Sequence, residues 1–175
     1  GNPSSIHSIG IQARRGVEEA RASLASALSC APEEIHFTSG GTEADNWAIK
    51  GLSAVKGAGR IVTSAIEHHA VLHSCQYLKD MGREVIYVPV DAHGTLDLEV
   101  LEANLDETTS LLSIMHANNE TGSLQPVEEA GRMARERGIP FHVDAVQTFG
   151  KLPVHPSQLN ADAVSISAHK INGPK

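Results

Sequence analysis

Hydrophobic residues recur at helical spacing near the start of the chain. Val17, Leu24 and Leu28 repeat on one side of a helical projection, which predicts a helix over residues 8–29. Pro32 follows this segment, as expected just beyond the end of a helix. The same spacing predicts further helices over residues 42–55, 69–81, 98–105 and 126–137.

Shorter apolar runs separate these helices and are typical of buried strands. They predict strands over residues 35–38, 60–64, 84–90, 109–115, 140–143 and 163–167. Strand and helix alternate almost throughout, which is the pattern of βαβ units. We therefore expect an α/β fold, a three-layer α/β/α sandwich around a mostly parallel sheet, with residues 1–175 in one domain.

Composition and charge narrow the classes of protein. The chain has 175 residues and a formal net charge of -7, with basic residues scattered among acidic ones. Nucleic-acid binding needs clustered Lys and Arg, so we expect no direct nucleic-acid partner. No apolar run is long enough to span a bilayer, and no signal peptide opens the chain, so we expect a cytoplasmic protein. The chain starts at Gly1 and stops in a loop at Lys175, which favours a piece of a longer protein.

Polar clusters follow the predicted strands. They comprise residues 39–42, 67–68, 116–120, 144–147 and 169–170. Ligands of parallel α/β sheets bind at the carboxyl ends of the strands. The five clusters therefore predict one shared site.

The turn around Gly40, Gly41 and Thr42 is a candidate phosphate site. Glycines let the backbone approach an anion, and the start of the following helix offers free N–H groups and a positive dipole end. The alternative is an ordinary turn in which Thr42 caps the helix. The turn matches neither the dinucleotide fingerprint nor the Walker loop.

Asp144 and Lys170 each end a predicted strand. Asp144 suits the protonated pyridine nitrogen of pyridoxal 5'-phosphate (PLP), although a helix cap is the alternative. Lys170 suits a Schiff-base nucleophile, although an exposed loop lysine is the alternative. A phosphate turn, a strand-end Asp and a strand-end Lys in one sheet together predict a PLP site.

Histidines and cysteines complete the candidate chemistry. His68 lies between a strand and a helix, where its ring can lie on a cofactor and move protons. His69 and His73 are spaced i, i+4, but no further ligand is obvious, so we expect no metal site. Cys30 and Cys75 lie at or in predicted helices, and we interpret both as structural.

The motifs resemble those of the cysteine desulfurase family, within the class V aminotransferases of PLP fold type I. The resemblance runs through nearly the whole chain and keeps the family's order. Its motifs lie at residues 1–7, 38–46, 67–71, 115–122, 142–147 and 167–175.

The resemblance implies a role for each candidate residue. Lys170 carries the cofactor and moves protons, and Asp144 pairs with the pyridine nitrogen. Gln147 hydrogen-bonds the ring hydroxyl, His68 stacks on the ring and acts in acid–base steps, and Asn119 lies beside the ring hydroxyl and the substrate. The phosphate is held by Gly41, Thr42, Ser167 and His169.

The implied reaction converts L-cysteine to L-alanine and leaves sulfur as a persulfide on an enzyme cysteine. The implied partners are a second copy of the chain in a homodimer and a sulfur acceptor, either an iron–sulfur scaffold or a tRNA-thiolation enzyme. The family's nucleophilic cysteine and small domain are expected beyond Lys175, so we expect this chain alone not to complete desulfuration. A selenocysteine lyase, another class V aminotransferase and a non-catalytic module remain alternatives.

Overall fold

The computed structural model describes residues 1–174. These residues form two compact units, the first at Gly1–Phe37 and the second beginning at Thr38. The first unit contains helix α1 (Ser8–Leu28) and a 3₁₀ helix (Pro32–Glu34). His7 caps α1, because its Nδ1 accepts a hydrogen bond from the Gly10 N–H at 3.2 Å. The helix ends where Ser29 adopts a left-handed conformation with φ 57°.

Residues 35–38 correct one prediction, because they form no strand. Ile35 and Phe37 gave the apolar pattern of a strand, but Phe37 remains half exposed, with the Arg21 guanidinium 5.0 Å from the centre of its ring. Arg21 also donates to the carbonyl of Ile35. The segment is held by side-chain contacts and has no neighbouring strand, so its extended backbone joins no sheet.

The second unit alternates strands and helices. Its elements in chain order are α2 (Gly41–Val55), β1 (Arg60–Ser64), α3 (His69–Asp80), β2 (Val85–Val88), α4 (Leu98–Ala103), β3 (Thr109–Met115), α5 (Val127–Glu136), β4 (Phe141–Asp144), α6 (Pro156–Leu159), β5 (Ala163–Ser165) and a 3₁₀ helix (Ala168–Ile171). The bounds agree with the predicted segments to within one or two residues at most ends. The short helix α6 was not predicted.

The five strands form one parallel sheet in the order β2-β1-β3-β4-β5. The predicted α/β class and its parallel sheet are confirmed. The chain passes from β1 outward to β2 and then crosses to β3 on the other side of β1. This reversal creates a crevice at the carboxyl ends of β1 and β3, which is where such sheets bind ligands.

Helices cover both faces of the sheet. On one face, α2 and α3 pack on the sheet through a cluster of buried apolar residues that these two helices share with β1, β2 and β3. On the other face, α5 packs on β3 and β4, with α4 and α6 beside it. All seven residues of β3 are buried, as expected for the central strand of a sheet covered on both sides.

Gly131 lets α5 approach the sheet closely. A side chain at this position would collide with the carbonyl oxygen of Leu159 and would lie 3.1 Å from Cε1 of Phe141. Glycine is therefore required by space at this helix position, where it otherwise lowers helix propensity.

No helix among the described residues is long and apolar enough to cross a membrane.

Candidate functional site

A cavity of about 300 Å³ lies at the carboxyl ends of the strands of the second unit. Its wall contains all nine residues that the sequence predicted for the site, and these come from turns that follow β1, β3, β4 and β5 and from the start of α2. They are Gly41, Thr42, His68, Asn119, Asp144, Gln147, Ser167, His169 and Lys170. Three residues that were not predicted, Asp45, Met115 and Val146, complete the wall.

The turn before α2 offers free backbone N–H groups. Gly40 adopts φ 155°, a conformation that favours glycine, and no side chain caps the helix. Glu43 instead folds back to accept a hydrogen bond from the Ser39 N–H at 2.5 Å. A Cβ at Gly41 would lie 3.1 Å from a methyl carbon of Val146, so glycine keeps this edge of the cavity open. An uncapped helix N-terminus of this kind suits an anion.

The turn after β5 lies against the same edge. A Cβ at Gly41 would lie 3.7 Å from Cβ of Ser167. The Ser167 hydroxyl and Nδ1 of His169 are 2.7 Å apart, which fixes both side chains. A hydroxyl, an imidazole and the helix N-terminus therefore surround one small volume, and all three can donate hydrogen bonds to an oxyanion.

Lys170 lies next in the 3₁₀ helix that follows β5. Its backbone N–H donates to the carbonyl of Ser167 at 3.2 Å, while its side chain is exposed at the cavity wall. Among residues 1–174, no carboxylate forms an ion pair with its ammonium group. The amine is therefore available to a ligand.

Asp144 ends β4 and is buried, with 6% of its surface exposed. Its Oδ1 accepts a hydrogen bond from the Val146 N–H at 2.9 Å. Burial raises the pKa of the Asp144 carboxyl, while the Val146 hydrogen bond and the charge of His68 oppose that rise. A carboxylate in this setting favours a cationic partner, which would offset the cost of its burial.

His68 caps α3. Its Nδ1 accepts a hydrogen bond from the Ala70 N–H at 3.1 Å. In the neutral ring, the proton is therefore on Nε2, which makes this nitrogen a donor and fixes the ring at the cavity wall. His68 and Asp144 thus provide a proton donor and a carboxylate on one wall.

Asn118 supports the loop that carries Asn119. The Oδ1 of Asn118 accepts from the N–H groups of Glu120 and Thr121, each at 2.9 Å, and its Nδ2 donates to the carbonyl of Ile66 at 2.9 Å. These bonds join the turns after β1 and β3. Asn119 is therefore presented to the cavity by a braced loop.

Two buried carboxyl groups near the cavity were given no individual role by sequence reasoning, although Glu67 lies in one of the predicted polar clusters. Asp45 lies one turn into α2, and Glu67 lies just before His68. Oε1 of Glu67 accepts from the Ser64 hydroxyl at 2.6 Å and from the Met115 N–H at 2.9 Å. Burial raises the pKa of both carboxyls to about 8, and the charge of Asp144 adds to each rise. Asp45 follows Gly41 by four residues, a spacing that places both on one helix face, and this was the available signal.

The cysteines and the histidine pair do not form a second centre. Burial raises the pKa of the Cys75 thiol to about 12, and Cys75 packs in the apolar cluster under α3. Burial and Glu34 raise the pKa of Cys30 in the first unit. The rings of His69 and His73 stack with centres 5.3 Å apart. Within the described part of the chain, no group of three His, Cys, Asp or Glu side chains is arranged to hold a metal.

Comparison with known proteins identifies relatives along the full chain. The family model described as "Aminotransferase class-V" matches residues 1–175. The "Cysteine desulfurase IscS" of Dictyoglomus turgidum is 50% identical over 100% of this chain and 45% of its own length. The "Putative cysteine desulfurase IscS 1" of Bacillus subtilis is 49% identical over 100% of this chain and 47% of its own length. The chain thus spans about half the length of the curated relatives it matches.

Solved structures agree with the architecture. A structure titled "NIFS-LIKE PROTEIN" superposes with a TM-score of 0.95 and 47% identity, covering 100% of this chain and 49% of that one. A structure titled "SspA in complex with cysteine" superposes with a TM-score of 0.96 and 40% identity, covering 100% of this chain and 51% of that one.

Proposed function

Because the chain belongs to the aminotransferase class-V family, we propose that its cavity binds PLP and that the protein is a cysteine desulfurase. The observation that carries the proposal is the convergence on one cavity wall of nine residues that lie in separate segments of the sequence. The names of the curated relatives support the same activity.

The polar edge of the cavity fits the phosphate of PLP. The N–H groups at Gly41 and Thr42 would donate to the phosphate from the start of α2, and the side chains of Ser167 and His169 would hold it from the facing turn. The missing side chain at Gly41 leaves room for an anion against the backbone. Each of these groups offers a donor, which is the chemistry that a phosphate dianion requires.

The opposite part of the wall fits the ring. Asp144 would pair with the pyridine nitrogen, His68 would stack on the ring, and Gln147 and Asn119 would lie near the ring hydroxyl. Within residues 1–174 the buried Asp144 carboxyl forms no ion pair, and a protonated pyridine would supply a cationic partner. Lys170 would carry the cofactor through its amine, which no carboxylate within residues 1–174 engages.

When bound, PLP withdraws electrons from the substrate carbon that loses a proton. The chain's own residues move that proton. Lys170 would accept or return it at Nζ, and His68 would donate a separate proton from Nε2, which the Ala70 hydrogen bond leaves as the protonated ring nitrogen. Asp144 stays ionised and keeps the ring an electron sink, while the buried carboxyl ends of β3 and β4 exclude water from one side of the site.

We propose L-cysteine as the substrate and L-alanine as the product. The C–S bond of cysteine breaks and an S–S bond forms to a thiol of the enzyme, and the proton from that thiol balances the new C–H bond of alanine. The cysteine complex of SspA supports this choice of substrate. Neither Cys30 nor Cys75 is proposed as the acceptor, since Cys75 is sealed in the core and the pKa of each thiol is raised.

The remaining features of the proposal concern the whole protein. We propose that residues 1–175 belong to the PLP-binding large domain, that two copies form a homodimer, and that the protein acts in the cytoplasm. The persulfide would pass to a sulfur-acceptor protein, either an iron–sulfur scaffold or a tRNA-thiolation enzyme. These proposals rest on the family to which the chain belongs.

A cofactor-trapping experiment tests the site. The protein produced from its own gene is titrated with PLP, reduced with borohydride and digested for peptide mapping. We expect a reduced adduct on Lys170, none in Lys170→Ala, and a normal adduct in Lys79→Ala, which changes an exposed lysine of α3 outside the cavity wall. An adduct on another lysine would refute the assigned site.

The reaction is tested separately with L-cysteine. We expect alanine and sulfide, released with a reductant, from the PLP-loaded protein and neither product from Lys170→Ala. A loaded protein that forms the Lys170 adduct but produces no alanine from cysteine would retain the cofactor proposal and refute the desulfurase proposal.

A further inference from the structure

Asp45 is a buried carboxyl, and one of its two oxygens accepts no hydrogen bond from the described residues. It faces the cavity from the second turn of α2, and only 1% of its surface is exposed. Its Oδ1 is fully buried and has no hydrogen-bond partner within the described residues. An ionised carboxylate in that position would leave a lone pair unpaired in a dry setting, at a large cost.

His142 is the nearest basic group but does not neutralise Asp45. Its Nε2 lies 3.7 Å from Oδ1 of Asp45, beyond hydrogen-bond length. Both ring nitrogens already bond to hydroxyls, Nδ1 to Ser113 and Nε2 to Ser165, each at 2.9 Å. Full burial lowers the pKa of His142 to about 4, so the ring is neutral at physiological pH.

The acidic groups and the thiol near Asp45 add negative charge or none. Asp144 on β4 raises the pKa of Asp45, and the charge of Asp45 in turn raises that of Glu67. The thiol of Cys75, which α3 buries in the cluster shared with α2, is neutral. The basic groups on the same cavity wall are His68, His169 and Lys170.

We propose that Asp45 is a positioning residue that keeps its proton, so that Asp144 is the one buried carboxylate left to pair with the cofactor ring. The inference rests on the proposed function for the identity of the ring. Two carboxyls that share a site cannot both ionise readily, and the less well supported one retains the proton.

The contacts assign the proton to Asp45. The Asp144 anion is supported by the Val146 N–H and by the charge of His68. The Asp45 anion is supported only by the Ser165 hydroxyl, which also serves His142. Asp45 is therefore still neutral at pH values where Asp144 is already charged, and it becomes a second anion as pH rises past about 8.

The test compares PLP dissociation constants from pH 6 to pH 10 in the wild-type protein, Asp45→Asn and the control Asp80→Asn. Asn has the shape of a protonated Asp, so the ratio of the Asp45→Asn constant to the wild-type constant is expected to stay near one below pH 7. Above pH 8, wild-type Asp45 ionises and attracts the ring cation, so this ratio is expected to rise several-fold. The exposed Asp80 is expected to give a ratio near one throughout.

Two results would overturn the inference. A ratio already raised at pH 6 and constant with pH would mean that Asp45 is an anion throughout. A ratio near one at every pH would mean that Asp45 does not act on the ring. The infrared band of protonated carboxyl groups is a second readout that needs no cofactor: we expect it at pH 6 and expect it to weaken in Asp45→Asn.

The infrared readout also separates the two proposals. If the wild-type protein binds no PLP, the proposed function fails, while the loss of band intensity in Asp45→Asn still reports the proton on Asp45. If Asp45→Asn does not fold, Glu67→Gln decides, because it removes the other buried carboxyl with a pKa of about 8. Absence of the band at pH 6 in Glu67→Gln would exclude a protonated Asp45, and a band that fades as pH passes about 8 would support one.

Discussion

The proposed ligand role of Asp144 comes at the expense of the stability of the fold. Its pKa is raised in the folded protein by burial, so its ionised form destabilises the structure at neutral pH. We expect Asp144→Asn to unfold at a higher temperature than the wild type without PLP, because Asn can keep the Val146 hydrogen bond without the charge. We also expect PLP affinity to fall by about 10- to 100-fold, which corresponds to the free energy that a charge-assisted hydrogen bond contributes to binding.

Thermal unfolding without PLP and a fluorescence titration with PLP measure the two effects. Asp106→Asn is the control, since Asp106 is exposed and its pKa is lowered by Thr108. A variant of Asp144 that lost stability and retained affinity would contradict the assignment.

Glu67 makes stability depend on pH. Its pKa is about 8 in the folded protein and near the ordinary 4.5 when unfolded, so the folded state holds the extra proton between these values. The contribution of Glu67 to the free energy of unfolding is therefore fully present below about pH 4.5 and is lost as pH rises to about 8. The loss is about 1.4 kcal/mol for each pH unit.

We expect Glu67→Gln to remove this contribution. Denaturant unfolding at several pH values measures it as a flatter dependence of the free energy of unfolding on pH. An unchanged slope in the variant would show that Glu67 is ionised in the folded protein.

The sequence predicted which residues line the cavity, but it did not predict which buried carboxyl groups hold a proton. Strand-end motifs indicated His68, Asp144 and Lys170, because parallel strands bring their carboxyl ends together. Their roles toward the cofactor stay a prediction. The burial of Asp45 and Glu67 was not predicted. Whether a polar side chain is buried depends on which other elements pack over it, and a local sequence pattern does not contain that information.

At the scale of elements, helix and strand positions followed from the period of the apolar pattern. The short helix α6 was not predicted, and residues 35–38 had an apolar pattern without a partner strand. A strand exists only when its backbone pairs with a neighbour, and local sequence does not supply that neighbour. The helices were easier to predict because their hydrogen bonds are internal.

The contact between α5, β4 and α6 gives a prediction at this scale. We expect Gly131→Ala to destabilise the fold by about 1–3 kcal/mol, because the added methyl group collides with Leu159 and crowds Phe141. Gly16→Ala is the matched control, a mid-helix glycine of α1 with no atom within 4 Å of the added carbon. We expect this control to stabilise by about 0.5–1 kcal/mol.

Denaturant unfolding of both variants measures the difference. Equal effects at the two positions would show that α5 can move away from the sheet without cost.

At the scale of the whole molecule, Cys75 reports opening of the core. Its side chain is fully buried between α3 and the sheet, whereas Cys30 is only half buried. We expect iodoacetamide to label Cys30 in the folded protein and Cys75 only when the core opens, so labelling of Cys75 tracks unfolding. Mass spectrometry of the two peptides with increasing denaturant measures this, and early labelling of Cys75 would indicate local opening of α3.

The sheet order also bears on how the protein is made. The two turns proposed to hold the phosphate come from opposite ends of the second unit, Gly41 before its first strand and Ser167 after its last. Parallel pairing joins segments distant in sequence, as between β1 and β3, and such topologies fold slowly. During synthesis, residues 41–42 leave the ribosome long before residues 167–170. If the proposed cofactor binds between these two turns, its capture is expected to be among the last events of folding. The rate of cofactor uptake by nascent chains would then report when the sheet is complete.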